Sequence, residues 1–273
     1  MDPFAVLRIL ISNDDGIFAT GLNTLAEHLA REFEVFVVAP DRERSATGHA
    51  LTLHKPLRVD SVDMSRIGVK SAFAVTGTPS DCVKIGLSVL LEKPVDVVIS
   101  GINHGPNVGA DVLYSGTVSA AIEGAIYDLP SLAVSMLNGH SHHADFTPAA
   151  EWVARLLKHL FNDAKNPCPI APKTVYNINV PALPLADILG VRVTHLGTRM
   201  FTDSYEKRVD PRGGLYYWLA GERIEESDDP LSDVATVRNN YVSLTPIQFD
   251  LTHHTLLESV RGQIEHLTFS PTC

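Results

Sequence analysis

The sequence predicts an α/β fold in which helices cover both faces of a mostly parallel β-sheet. Two observations carry this reading. Six apolar runs of strand length occur before residue 185, and they alternate with segments whose apolar residues recur at helical spacing. Strands that are apolar almost throughout belong to sheets buried on both faces, and alternation with amphipathic helices makes neighbouring strands parallel. Crossover handedness then gathers the loops that follow the strands along one edge, where ligands of such sheets bind.

The elements follow in order. Residues 6–12 read as the first strand. Leu22, Leu25, Ala26 and Leu29 form the inward stripe of a first helix, with Thr20 placed as its N-cap. Residues 35–39 and 72–76 are the next strands. Thr78-Pro79-Ser80-Asp81 then combines a capping threonine, a proline at the first helical position and an acid at the third, which opens a helix carrying Val83, Leu87, Leu90 and Leu91. Residues 95–100 and 131–135 are strands flanking a helix with Val118, Ala121, Ile122, Ala125 and Ile126 on one stripe. Thr147-Pro148 opens a helix with Trp152, Val153, Leu156, Leu157 and Leu160 inward, and residues 175–180 close the series. Beyond residue 185 the pattern breaks into short β-prone pieces (191–196, 215–219, 241–245), a charged stretch over 222–233, and a final helix with Leu256, Leu257, Val260 and Ile264. That region is too thin in apolar residues to stand alone, so it should pack on the core or on another subunit.

Composition excludes several functions. A net charge of −10 with no basic tract argues against binding a nucleic-acid polymer. No run of about 18 apolar residues is present to span a membrane. Met1-Asp2-Pro3-Phe4 has none of the features of a secretory leader, which makes the cytoplasm the expected compartment. Cys82, Cys168 and Cys273 lack the spacing of a disulfide framework or a thiolate metal site. A small anionic substrate fits this acidic chain only where a cation or backbone amides offset the field.

The first strand ends in Asn13-Asp14-Asp15-Gly16. Within a strand the two acids would point to opposite faces, whereas in a glycine-terminated turn they can face one point. At about 4 Å and an effective dielectric near 20 they repel by about 4 kcal/mol, which a divalent cation would relieve; hard oxygen ligands suit Mg²⁺ or Mn²⁺. The competing reading is a solvated Asx turn before a helix. Ser45 in the loop after the second strand offers a hydroxyl ligand, or is simply part of a polar loop. The loop after the fourth strand, residues 100–109, holds three glycines, a proline, Asn103 and Asn107; it reads as a connector or as a place for close backbone approach to a ligand. Ser115-Gly116-Thr117 opens the next helix, where free amides and hydroxyls make an anion site, although N-capping alone would employ one hydroxyl. No lysine follows to make a Walker loop, and the first turn is not a GxGxxG fingerprint. His49 and His104 lie in the ligand-edge loops as proton relays or as supporting residues, and His140, His142 and His143 crowd a Gly/Ser loop.

Together these segments resemble the SurE (survival protein E) family of metal-dependent 5′/3′-nucleotidases. The resemblance rests on residues 11–16, 39–42, 77–83, 100–107, 114–118, 177–181 and 241–246, in that order along the chain. It implies that Asp14, Asp15, Ser45 and Asn103 hold one divalent cation, Mg²⁺ or Mn²⁺, and that Asn107, Ser115, Gly116 and Thr117 bind phosphate. It also implies a Rossmann-like catalytic core over residues 1–185. Residues 186–273 become a C-terminal extension, a β arm and terminal helix that exchange elements between subunits of a homodimer or homotetramer. The implied activity is hydrolysis of nucleoside 5′- and 3′-monophosphates, with short polyphosphate as a side substrate. Thr20 departs from the proline frequent at that position, and Ala46-Thr47 from the usual small pair; neither is a ligand position, so both bear on substrate preference. Two other classes remain: a non-catalytic nucleotide-binding regulator, which has no use for a repelling acid pair beside a phosphate, and an oligomerisation scaffold.

Overall fold

A computed structural model describes residues 6–137, 144–161, 170–198, 200–201, 205–219, 223–224, 229–265 and 267. His140, His142, His143, Cys168 and Cys273 lie outside the described residues. The strands are β1 (Arg8–Ser12), β2 (Glu34–Pro40), β3 (Val59–Val62), β4 (Ser71–Val75), β5 (Val97–His104), β6 (Ser131–Leu137) and β7 (Thr174–Pro181). After them come β8 (Val191–Val193), β9 (Met200–Phe201), β10 (Tyr205–Val209), β11 (Leu215–Leu219), β12 (Arg223–Ile224) and β13 (Val242–Gln248). The α-helices are α1 (Thr20–Leu29), α2 (Pro79–Ile85), α3 (Gly116–Ile126), α4 (Thr147–Phe161), α5 (Asp233–Arg238) and α6 (His254–Ile264).

The main sheet runs β3-β4-β2-β1-β5-β6-β7-β13-β8. From β4 to β7 every neighbouring pair is parallel. Alternation along β1 sorts the two faces: Ile9 and Ile11 join a core with α1 and α4, while Leu10 joins another with Val83 of α2 and Ala120 of α3. The chain builds outward from β1 through β2 to β4, then returns to place β5 on the other side of β1. The crevice beyond the carboxyl ends of β1 and β5 is therefore the topological switch point, where doubly wound sheets bind ligands.

Three local expectations change. Thr20 is the first helical residue of α1; the N-cap is Ala19, which has no side-chain cap bond. β3 was not anticipated, since residues 59–62 alternate weakly and pair only as an antiparallel edge beside β4. β5 runs past Ser100 to His104 through an irregularity in its register with β6, so Asn103 pairs with Ser135 at the end of a strand. The cap of α2 forms as expected, with Thr78 accepting from the Asp81 N–H and Asp81 from the Thr78 N–H.

The sheet continues past residue 185: β13 pairs antiparallel with β7, and β8 parallel with β13. Asp233 of α5, fully buried, accepts from the Gly109 amide at 2.9 Å and the Gly197 amide at 2.7 Å, tying this region to the loop after β5. The hairpin β10–β11 instead leaves Tyr205, Tyr217 and Trp218 exposed, and α6 leaves Leu256, Leu257, Val260 and Ile264 about half exposed.

Candidate active site at the switch point

The turn after β1 is closed by Asn13, whose amide group donates to the Gly16 carbonyl (3.0 Å) and accepts from the Gly16 N–H (3.2 Å). Gly16 has φ +97° and packs on the Arg42 backbone, so this turn requires glycine. The result frees Asp14 and Asp15 from strand alternation. Asp14 is buried and points at α3: it accepts the Thr117 hydroxyl at 2.5 Å. A Cβ on Gly116 would lie 2.7 Å from the Asp14 Cβ and 2.9 Å from its Oδ2, so glycine alone lets the helix N-terminus come this close.

The electrostatics of the pair are unfavourable as they stand. Burial pushes the Asp15 carboxyl up to about 6, the charge of Asp14 adds to that push, and the His104 N–H, 3.4 Å from Oδ2, works against it. Burial likewise raises Asp14, opposed by its bonds from Thr117, and Glu43 adds repulsion to both acids. Two desolvated, like-charged carboxylates favour a cation between them. Among the described residues no three His, Cys, Asp or Glu side chains converge. A cation here would need neutral oxygens as well, which Ser45 and Asn103 can supply. That hard-oxygen donor set fits Mg²⁺ or Mn²⁺.

Ser45 is exposed and donates to Glu43 at 2.5 Å; its segment is stitched to the site by the Arg44 N–H, which donates to the Asp14 carbonyl at 2.7 Å. Asn103 donates its amide nitrogen to the Gly105 carbonyl at 2.8 Å, which leaves its oxygen as the atom suited to a cation. Ser115 caps α3, its hydroxyl accepting from the Val118 N–H at 3.0 Å. Asn107 sits deeper in a polar knot: its backbone N–H and carbonyl bond Asn179, Asn177 also donates to that carbonyl, and its side-chain amide donates to Ser135. Asp14 is thus in contact with Gly116 and Thr117, and Asp15 with the backbone of His104; Asn103 and Ser45 lie on the neighbouring segments and Asn107 holds its loop in shape.

His104 is exposed, its ring edge-on to Phe146 at 6.3 Å, and both line a cleft of 380 Å³ with Asp15, Thr20 and Asp145. His49 is drawn elsewhere, its Nε2 lying 2.9 Å from Glu123. Sequence reasoning overlooked Glu123 and gave Asn179 no role. The signal for Glu123 was slight: a lone acid among the apolar and small residues of α3, on a different face from Val118, Ala121 and Ala125.

A family model described as survival protein SurE matches residues 9–203. The 5′-nucleotidase SurE of Synechococcus elongatus is 49% identical over 96% of this chain and 100% of its own length. The protein of the same name from Synechococcus sp. strain JA-3-3Ab is 55% identical, with 93% of this chain and 96% of its own covered. Among solved structures, the SurE protein from Aquifex aeolicus superposes with a TM-score of 0.80 at 38% identity, over 94% of this chain and 99% of that one. A match of this extent, on a chain with an acid-pair turn at its switch point, leaves one assignment: the chain belongs to the SurE family.

Proposed function

We propose that the chain is a SurE-type 5′-nucleotidase that hydrolyses nucleoside 5′-monophosphates to nucleoside and phosphate and depends on a divalent cation. The observation that carries this reading is the desolvated Asp14–Asp15 pair, with Asp14 held against the N-terminus of α3. Asp14, Asp15, Ser45 and Asn103 would hold one Mg²⁺ or Mn²⁺. Such a cation supplies charge neutralisation of the pair, polarisation of the phosphoryl group and a lowered pKa for water.

The protein groups do the rest. Gly116 and Thr117 bring the positive end of the α3 dipole to the phosphate, and Ser115 fixes the first turn of that helix. The Thr117 hydroxyl, bonded to Asp14, holds that carboxylate in one rotamer. Asn107 keeps the loop after β5 in place for the equatorial oxygens, where charge grows as the leaving group departs. Water attacks phosphorus, the P–O bond to the sugar breaks, and the proton that the attacking water gives up balances the one that the leaving alkoxide takes. The spaced DxD of aspartyl-phosphate phosphatases is absent, which favours direct attack by water.

The reading extends to 3′-monophosphates and short polyphosphate as further substrates and to the cytoplasm as compartment; among the described residues no helix is long and apolar enough to cross a membrane. We assign the β10–β11 hairpin and α6 to contacts between subunits of a dimer or tetramer, because their apolar side chains are left uncovered. Phosphate release from AMP, GMP, a 3′-monophosphate and tripolyphosphate, with Mn²⁺ or Mg²⁺ and with or without chelator, tests the activity. Chelator-sensitive release from the 5′-monophosphates is expected. Release indifferent to chelator, or none from any nucleotide, overturns it.

A further inference from the structure

Glu123 is a buried carboxylate that the chemistry above leaves unused. It sits in the middle of α3, 2% exposed. Each of its oxygens has its own partner: Lys84 Nζ on α2 at 3.1 Å from Oε1, and His49 Nε2 at 2.9 Å from Oε2. Burial alone would raise this carboxyl, but the bonds from His49 and Lys84 outweigh it and hold the group below its ordinary range. An ionised carboxylate only accepts, so His49 Nε2 donates.

His49 belongs to residues 41–53, the irregular segment that carries Ser45. Its other ties include the Arg44 bond to Asp14, bonds from Asp41 and Arg44 to the backbone of Val75 and Thr76, a Gly48 N–H to Tyr114 carbonyl bond of 3.2 Å, and bonds from Thr78 and to Asp81 at residues 50 and 52. The Ser45 hydroxyl itself bonds the neighbouring Glu43 side chain. It is four residues from His49, at most about 14 Å of extended chain, and on that side the Gly48 and His49 bonds together fix the segment. The same helix that sets Gly116 and Thr117 against Asp14 therefore also holds the Ser45 segment, two turns further on.

We propose that Glu123 is a positioning residue: through His49 it latches the Ser45 segment to α3 and so sets the Ser45 hydroxyl relative to the Asp14–Asp15 pair. The inference rests on the metal reading above. Partners that orient a metal-binding group typically change affinity by about 10- to 100-fold when removed.

The test is direct Mn²⁺ binding by electron paramagnetic resonance on the full chain, beside Mn²⁺ titrations of phosphate release. His49→Ala should weaken Mn²⁺ about tenfold, and His49→Gln, which keeps a donor, should recover to within about threefold of the parent. The His49 side chain is 34% exposed, so its removal should leave folding intact. Lys84→Met removes the other partner of the same carboxylate without touching the Ser45 segment, and it should leave Mn²⁺ affinity unchanged while moving the melting temperature at least as much as His49→Ala. Equal Mn²⁺ affinity in His49→Ala and parent, or equal weakening in Lys84→Met, overturns the latch. A parent that binds no Mn²⁺, or an Asp14→Asn variant that binds as the parent does, overturns the metal reading instead.

Discussion

Replacing Asp15 by Asn should make the metal-free protein more stable at neutral pH. The folded carboxyl is raised to about 6 from an ordinary 3.8, by burial first and by the Asp14 charge second. It holds its proton more tightly than its unfolded counterpart. Between those two values the folded state therefore binds more protons, and stability falls as pH rises through that window. Above about pH 6 the whole cost is present, about 3 kcal/mol for a shift of about two pH units. Below about pH 4 both states are protonated and the cost vanishes. For a chain of this size, removing it should raise the melting temperature by about 6–10 °C at pH 7.5 with chelator, and by far less at pH 4. Calorimetry at the two pH values measures the difference directly. Added Mn²⁺ should stabilise the parent and not the variant, because ligand binding to the folded state adds to stability. An Asp15→Asn protein that is no more stable than its parent at pH 7.5, or equally stabilised at both pH values, would refute the reasoning.

Two further substitutions probe the walls of the site. Gly116→Ala puts a methyl group 2.7 Å from the Asp14 Cβ; the resulting shift should cost about 1–3 kcal/mol in stability, read by urea denaturation, and lower phosphate release at least about tenfold. Asn179→Ala strips the Asn107 backbone of a donor and an acceptor in a buried knot. It should destabilise by about 2–3 kcal/mol and raise KM for the nucleotide more than it lowers kcat, as steady-state kinetics would show.

Much of the core was legible because burial on both faces imprints continuous apolar runs, as at residues 35–39 and 131–135. The acid pair was legible for a different reason: two adjacent carboxylates before a glycine are conspicuous wherever they fall. What escaped depends on partners distant in sequence. Thr20 has a capping side chain, yet Ala19 takes the cap position because the turn from Gly16 sets where α1 begins. Asn103 reads as loop because glycines surround it, while pairing with β6 keeps it in the strand. β13 joins the sheet beside β7 from more than 60 residues away, a pairing no local pattern announces. The knot around Asn107 and the Glu123–His49 bond likewise join elements about 70 residues apart, so single residues gave little hint of their roles.

On this reading Asp14 makes phosphate release depend on a divalent cation. The most direct measurement is the rate of phosphate release from AMP in Mn²⁺, with Asp14→Asn beside the parent and both confirmed as folded. Turnover should be chelator-sensitive in the parent and fall by at least about a thousandfold in the variant, as expected when a group central to transition-state stabilisation is removed. Near-parental turnover in the variant, with or without chelator, would contradict it.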